Sequence, residues 1–95
     1  MKPDGSQVKI EFYSSMREVF QEKGIRLGGV STIREILDLL CNTYQRRQKI
    51  LDHSGQLRPD INVLKNGRNI KFLDGIETEV KEGDIIAIFP LIYGG

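Results

Sequence analysis

The sequence has a single cysteine, a single histidine, almost no net charge and no long apolar run. A lone Cys41 excludes an internal disulfide framework, the usual support of small secreted domains. It falls on the edge of a helical apolar stripe, where free cysteine is ordinarily a packing residue. His53 has no second histidine or cysteine at metal-ligand spacing and reads as a loop residue, so no bound metal is expected. Lys and Arg number 14 against 13 Asp and Glu, a formal charge of +1, which argues against an electrostatic nucleic-acid binder. The densest basic stretch, QRRQK at 45–49, closes a helical pattern, where cations complement the helix dipole. No apolar stretch is long enough to span a bilayer. The opening MKPDGSQ leads straight into an alternating segment and does not resemble a signal peptide. A cytoplasmic protein is expected, with neither nucleic acid nor membrane as partner. No GxGxxG or P-loop spacing surrounds Gly28-Gly29, which reads as a bulge or bend. Internal repeats and low-complexity segments are also missing.

What is present fits one domain, 1–95, large enough for a core without staples. VKIEFYS (8–14) alternates apolar Val8, Ile10 and Phe12 with polar neighbours, as a half-buried strand does. SSMREVFQEKG (14–24) can hold a short helix closed by Gly24, and IRLGGV (25–30) a second strand. STIREILDLLCNTYQRRQ (31–48) is the clearest helix, with Ile33, Leu37, Leu40 and Tyr44 on one stripe. Its Thr32-Ile33-Arg34-Glu35 start fits a capping box. A polar connection (49–60) follows. INVLK (61–65) and NIKFL (69–73) flank Asn66-Gly67, the strongest two-residue hairpin signal. Further turns are expected at Asp74-Gly75 and Glu82-Gly83. IIAIF (85–89) reads as a strand buried on both faces and therefore central. The order predicts an α+β fold, a mixed sheet of about four to five strands with one main helix across it. Asp74, Asp84, Glu77, Glu79 and Glu82 lie in turn sequences and read as solvated turn residues, not acid–base pairs. No catalytic constellation is visible, so the chain is not expected to be an enzyme.

The chain closes on Phe89-Pro90-Leu91-Ile92-Tyr93-Gly94-Gly95. With the strand ending near Phe89 and Pro90 unable to donate to a ladder, residues 91–95 form a flexible tail. Extended, five residues reach roughly 17 Å. Gly94 and Gly95 carry no side chain, and the free carboxylate is ionised at neutral pH. A thin anionic thread can enter a partner's narrow site, where the Gly95 carboxylate can attack the α-phosphate of ATP and form an acyl-adenylate. A thiolate or persulfide can then attack that adenylate. Leu91, Ile92 and Tyr93 have little reason to be apolar on a solvated end, although packing back on the parent domain would also account for them.

NGRNIKFLDGIETEVKEGDIIAIFPLIYGG (66–95) closely resembles the C-terminal third of MoaD-like and ThiS-like proteins. These are ubiquitin-like β-grasp sulfur carriers, and the small subunit of molybdopterin synthase is the nearest type. VKIEFYSSMREVF and STIREILDLL resemble the family's first strand and helix. The resemblance implies an E1-like adenylyltransferase partner that uses ATP and magnesium, while this chain binds no cofactor itself. It implies that the Gly95 adenylate becomes a thiocarboxylate, with Gly94 as the slender approach and Phe89, Pro90, Leu91, Ile92 and Tyr93 as a partner-binding neck. The sulfur would pass to a second enzyme, such as the large catalytic subunit of molybdopterin synthase, to build the dithiolene that holds molybdenum or tungsten. A thiamin-type carrier and a ubiquitin-like modifier, joined through Gly95 to lysines, are the alternatives. Family tails often read Phe-Pro-Pro-Val before the glycines. Here Leu91 replaces the second proline and Tyr93 stands where Ser or Ala is common, which bears on the partner's identity. The long 45–60 connection favours molybdopterin-type or archaeal-modifier-like branches over thiamin-type ones.

Overall fold

The computed structural model describes residues 7–91, among which five strands and three α-helices form. In chain order these are β1 (Gln7–Phe12), α1 (Met16–Phe20), β2 (Gly24–Gly28), α2 (Ile33–Leu40), α3 (Tyr44–Ile50), β3 (Ile61–Lys65), β4 (Arg68–Asn69) and β5 (Ile85–Pro90). The strands make one sheet in the order β2-β1-β5-β3-β4. Only β1 and β5 run parallel; the other neighbours are antiparallel. The last strand therefore sits at the centre of the sheet, as its apolar sequence predicts.

One face of the sheet and the helices share a single core. Ile10, Ile86, Ile88 and Val63 meet Ile33, Ile36 and Ile50 there, each essentially inaccessible to water. Each such side chain contributes roughly 1.5–3 kcal/mol on burial. Phe12 stacks on Phe20 with ring centroids 4.5 Å apart, fixing α1 against β1. The Thr32 hydroxyl accepts the Glu35 N–H at 3.2 Å. The Glu35 carboxylate reaches back one residue further than a capping box requires and takes the Ser31 N–H at 2.6 Å.

Four expectations are corrected. The helix expected over 31–48 is two helices, because Cys41 leaves helical dihedrals and the Thr43 hydroxyl caps a new start by accepting the Arg46 N–H at 3.2 Å. Tyr44 consequently leaves the apolar stripe and is 72% exposed. α1 is closed by Gln21 in the left-handed region (φ 59), not by Gly24, which is the first residue of β2. The strand expected at 69–73 stops at Asn69, whose side chain accepts the Lys71 N–H and starts a 3-10 turn over Ile70–Phe72. Finally, β5 is buried on one face only, since Ile86 and Ile88 are buried while Ile85 is exposed. The turn at Asn66-Gly67 forms as expected, with both residues at positive φ.

Candidate functional site

β5 delivers the chain towards its terminus, and its pairing fixes where that delivery begins. Ile85 to Ile88 align with Lys9 to Phe12 on β1, and Ile86 to Pro90 align with Lys65 to Ile61 on β3. Pairing thus runs through Pro90, one residue beyond the expected end. The Leu91 N–H then donates to the Asp60 carbonyl at 2.8 Å. Leu91, expected as the first tail residue, is held by its backbone. Ile92, Tyr93, Gly94 and Gly95, the other expected site residues, lie outside the described residues.

Asp60 is itself fixed. Arg58 grips its carboxylate with two parallel hydrogen bonds, Nε–Oδ1 at 3.0 Å and Nη2–Oδ2 at 3.1 Å. The Arg58 Nη1 also donates to the Gln48 carbonyl at 3.3 Å, which links the end of α3 to the exit. The Arg58 hydrogen bond is the main reason that the Asp60 carboxyl titrates below its usual range. An exposed pair of this kind adds little to stability. Its evident effect is to position the Asp60 backbone under Leu91.

The neck residues do not form one patch. Alternation along β5 puts Pro90 on the helix side, beside Ser15, Met16 and Ile61. It puts Phe89 on the opposite, outer face, with Ala87 and Ile85. Leu64 is registered beside Ala87, and Asn62 beside Phe89. Ile85 and Leu91 are 42% and 40% exposed, so a broken apolar strip follows the outer face of β5 towards the terminus. Ile85, Ala87 and Leu64 are site residues that the sequence pattern does not single out. The available signal was a strand apolar at every position with only one face to bury. An apolar outer face over the sheet's central strand is a surface that a partner can cover.

The remaining candidates are structural. Cys41 is buried, and that burial pushes its thiol up to about 11, away from thiolate chemistry. Glu77 bonds Arg34, with Nε–Oε2 at 2.7 Å. Asp84 accepts the Asn66 amide at 2.9 Å and the Lys81 N–H at 2.8 Å, so it is a tether between turns and not a free turn residue. Among the described residues, His53 and the carboxylates form no cluster able to hold a metal ion. No helix among them is long and apolar enough to cross a membrane.

A mixed sheet that grips its helices and sends the terminal segment out from its central strand defines a ubiquitin-like β-grasp protein. The family model described as the ThiS family matches residues 10–95, and the chain belongs to that family. It is 34% identical over 91 residues to small archaeal modifier protein 3 of Haloferax volcanii, covering 94% of this chain and 99% of that protein. The solution structure of small archaeal modifier protein 1 from Methanosarcina acetivorans superposes with a TM-score of 0.77 at 30% identity, covering 95% of this chain and 97% of that one. A chain in the crystal structure of the Amycolatopsis orientalis BexX/CysO complex superposes with a TM-score of 0.77 at 28% identity, covering 93% of this chain and 99% of that one. The MoaD-like and ThiS-like resemblance is thereby borne out at the level of family and fold.

Proposed function

We propose that this chain is a sulfur carrier whose Gly95 carboxylate is the working group. An E1-like adenylyltransferase uses ATP and magnesium to couple that carboxylate to AMP, releasing pyrophosphate. The terminal sulfur of a donor persulfide then attacks the adenylate carbonyl and displaces AMP, giving an acyl disulfide, and a second thiol cleaves its S–S bond, releasing the thiocarboxylate and leaving a disulfide between that thiol and the donor. Gly94 and Gly95 enter the partner's channel without side chains. The strip of Ile85, Ala87, Phe89 and Leu91 seats the partner, and catalysis stays with that partner. The acceptor is an enzyme of the molybdopterin synthase type, which uses the sulfur to form a dithiolene.

What supports this reading is the pinned origin of the tail. The Leu91 N–H is bonded at 2.8 Å to Asp60, at the end of a strand paired on both sides. From that fixed point residues 92–95 can reach at most roughly 14 Å. The partner must therefore come to the sheet, and the apolar strip lies where it would dock.

The test is mass spectrometry after incubation with the activating enzyme, ATP, magnesium and a sulfur donor. The expected product gains the difference between one sulfur and one oxygen, and the gain vanishes when Gly95 is deleted. Adenylate formation without any sulfur-containing product would reject the carrier reading. A second reading, a protein modifier, is favoured by the 34% identity to small archaeal modifier protein 3. It predicts higher-mass conjugates in cells that disappear on removing Gly94 and Gly95. Dithiolene formation by a purified synthase large subunit charged with the thiocarboxylate tests the proposed acceptor against a thiamin-type one.

A further inference from the structure

The other end of the sheet carries a feature that the tail chemistry does not use. β2 is an edge strand, and its outward backbone groups can be assigned. The Phe12 N–H donates to the Lys23 carbonyl at 3.0 Å, and Glu11 is registered with Gly24. Hydrogen-bonded pairs in an antiparallel ladder alternate, so Ile25 and Leu27 turn their N–H and C=O groups to β1. Gly24, Arg26 and Gly28 turn theirs away, and no described residue pairs with them. Two of those three positions have no side chain, which leaves room for another backbone to approach.

The groove over this edge carries an excess of positive charge. Lys9, Arg17, Lys23 and Arg26 line it against a single carboxylate, Glu11. Glu11 is already engaged, accepting from the Tyr13 hydroxyl at 2.7 Å and pairing with Lys9 at 3.4 Å. Arg17 is held by the Phe12 carbonyl at 2.9 Å. Among the described residues, the Lys23 and Arg26 side chains make no hydrogen bond or ion pair. On the helix side of the same strand, Ile25 and Leu27 are only partly buried.

We infer that the free edge of β2 binds an extended segment of a partner protein in which acidic and apolar residues alternate. Added as a sixth strand, that segment makes ladder bonds to Gly24, Arg26 and Gly28. Its acidic side chains fall on the outer face beside Arg26 and Lys9, and its apolar ones beside Ile25 and Leu27. A nucleic acid would meet the same cations but could not use the ladder groups or the apolar pair. The inference is independent of the sulfur chemistry proposed above.

A fluorescent, capped peptide alternating glutamate and valine is the probe, titrated by anisotropy against the full-length protein. Saturable binding is expected, weakened at least about tenfold by the double variant K23E/R26E and by high salt. Deleting Gly94 and Gly95 should leave the affinity unchanged. Amides of Gly24, Arg26 and Gly28 should gain protection from hydrogen exchange on binding, because they acquire ladder partners. Thermal melts establish that the charge-reversed variant is folded. The inference is overturned by an absence of binding, which would leave the cations only the task of keeping the edge from self-pairing. It is equally overturned by an unchanged affinity in K23E/R26E, by dependence on the terminal glycines, by no gain of protection, or by a single-stranded RNA that binds as tightly.

Discussion

Gly24 and Gly28 occupy the two ends of β2, and a methyl group added to each should move stability in opposite directions. A Cβ at Gly24 would sit 2.9 Å from the Ile10 carbonyl oxygen, a backbone atom of the neighbouring core strand. Backbone cannot swing aside as a side chain can, so β1 or β2 must shift, at a cost of about 1–3 kcal/mol. Alanine recovers roughly 0.5–1 kcal/mol of that by restricting the unfolded chain. The net expectation for G24A, at the midpoint of those ranges, is a loss of about 1.25 kcal/mol, or a melting temperature lower by roughly 5–10 °C for a domain of this size. A Cβ at Gly28 meets only the Gln7 side chain, at 3.9 Å, and neither glycine has a positive φ. G28A should therefore keep the entropic gain and melt roughly 2–8 °C higher. Differential scanning calorimetry of the two variants with the wild type is sufficient. A G24A protein as stable as wild type, or a G28A protein that loses as much as G24A, would refute the claim that close backbone approach alone selects glycine at position 24.

Other perturbations have equally definite signs. Cys41, buried with its thiol raised to about 11, should resist iodoacetamide at pH 8 in the native protein and react promptly once guanidinium unfolds it. Burial pushes the Asp84 carboxyl up, but the Asn66 amide, the Lys81 N–H and the Lys65 and Lys81 charges outweigh it and hold it below the ordinary range. Its folded pKa is thus below the unfolded value of about 3.9, so its stabilisation is complete above that value and is lost as pH falls through the folded pKa. The drop in urea midpoint on acidification should be shallower in D84N than in wild type. T43A removes the hydroxyl that caps α3 and should cost about 0.5–2 kcal/mol, read as a lower urea midpoint with an unchanged slope.

The sequence discloses strands and turns where side-chain period and backbone demand agree. Alternation in Val8, Ile10 and Phe12 and the Asn66-Gly67 turn both led to the observed elements. It misled where local polar chemistry overrode an apolar period. The stripe through Ile33, Leu37 and Leu40 can be continued on paper to Tyr44, but the Thr43 hydroxyl offers the backbone a second start that the period cannot show. Asn69 does the same to an expected strand by capping a tight turn with its side-chain oxygen. The uniform apolarity of 85–89 matches the strand's central place but not its burial, because a central strand covered by helices on one side leaves its other face open. The reading of the tail rests on residue types alone, while the Arg58–Asp60 grip behind Leu91 depends on residues some thirty positions earlier and has no local signature.

The one-sided burial of β5 gives the strand a double use. A strand that is apolar on both faces but covered on one face supports two tasks with the same residues. Ile86 and Ile88 hold the strand in the core. Ile85, Ala87 and Phe89 are offset from them by one position and carry apolar surface outward along the same axis. Neither set can move without the other, because ladders to β1 and β3 lock the strand on both sides. A partner that covers the outer strip therefore registers itself against the rigid core. The point at which the Leu91 N–H meets Asp60 is fixed in that same frame. Under the proposed chemistry, this removes most of the search for the Gly95 carboxylate, since the docked partner already knows the thread's origin to within one hydrogen bond. Under that proposal, a strand locked on both sides suits the working end better than an edge strand does. An edge strand such as β2 could be peeled from one neighbour, whereas β5 can be displaced only by breaking two ladders together with the core.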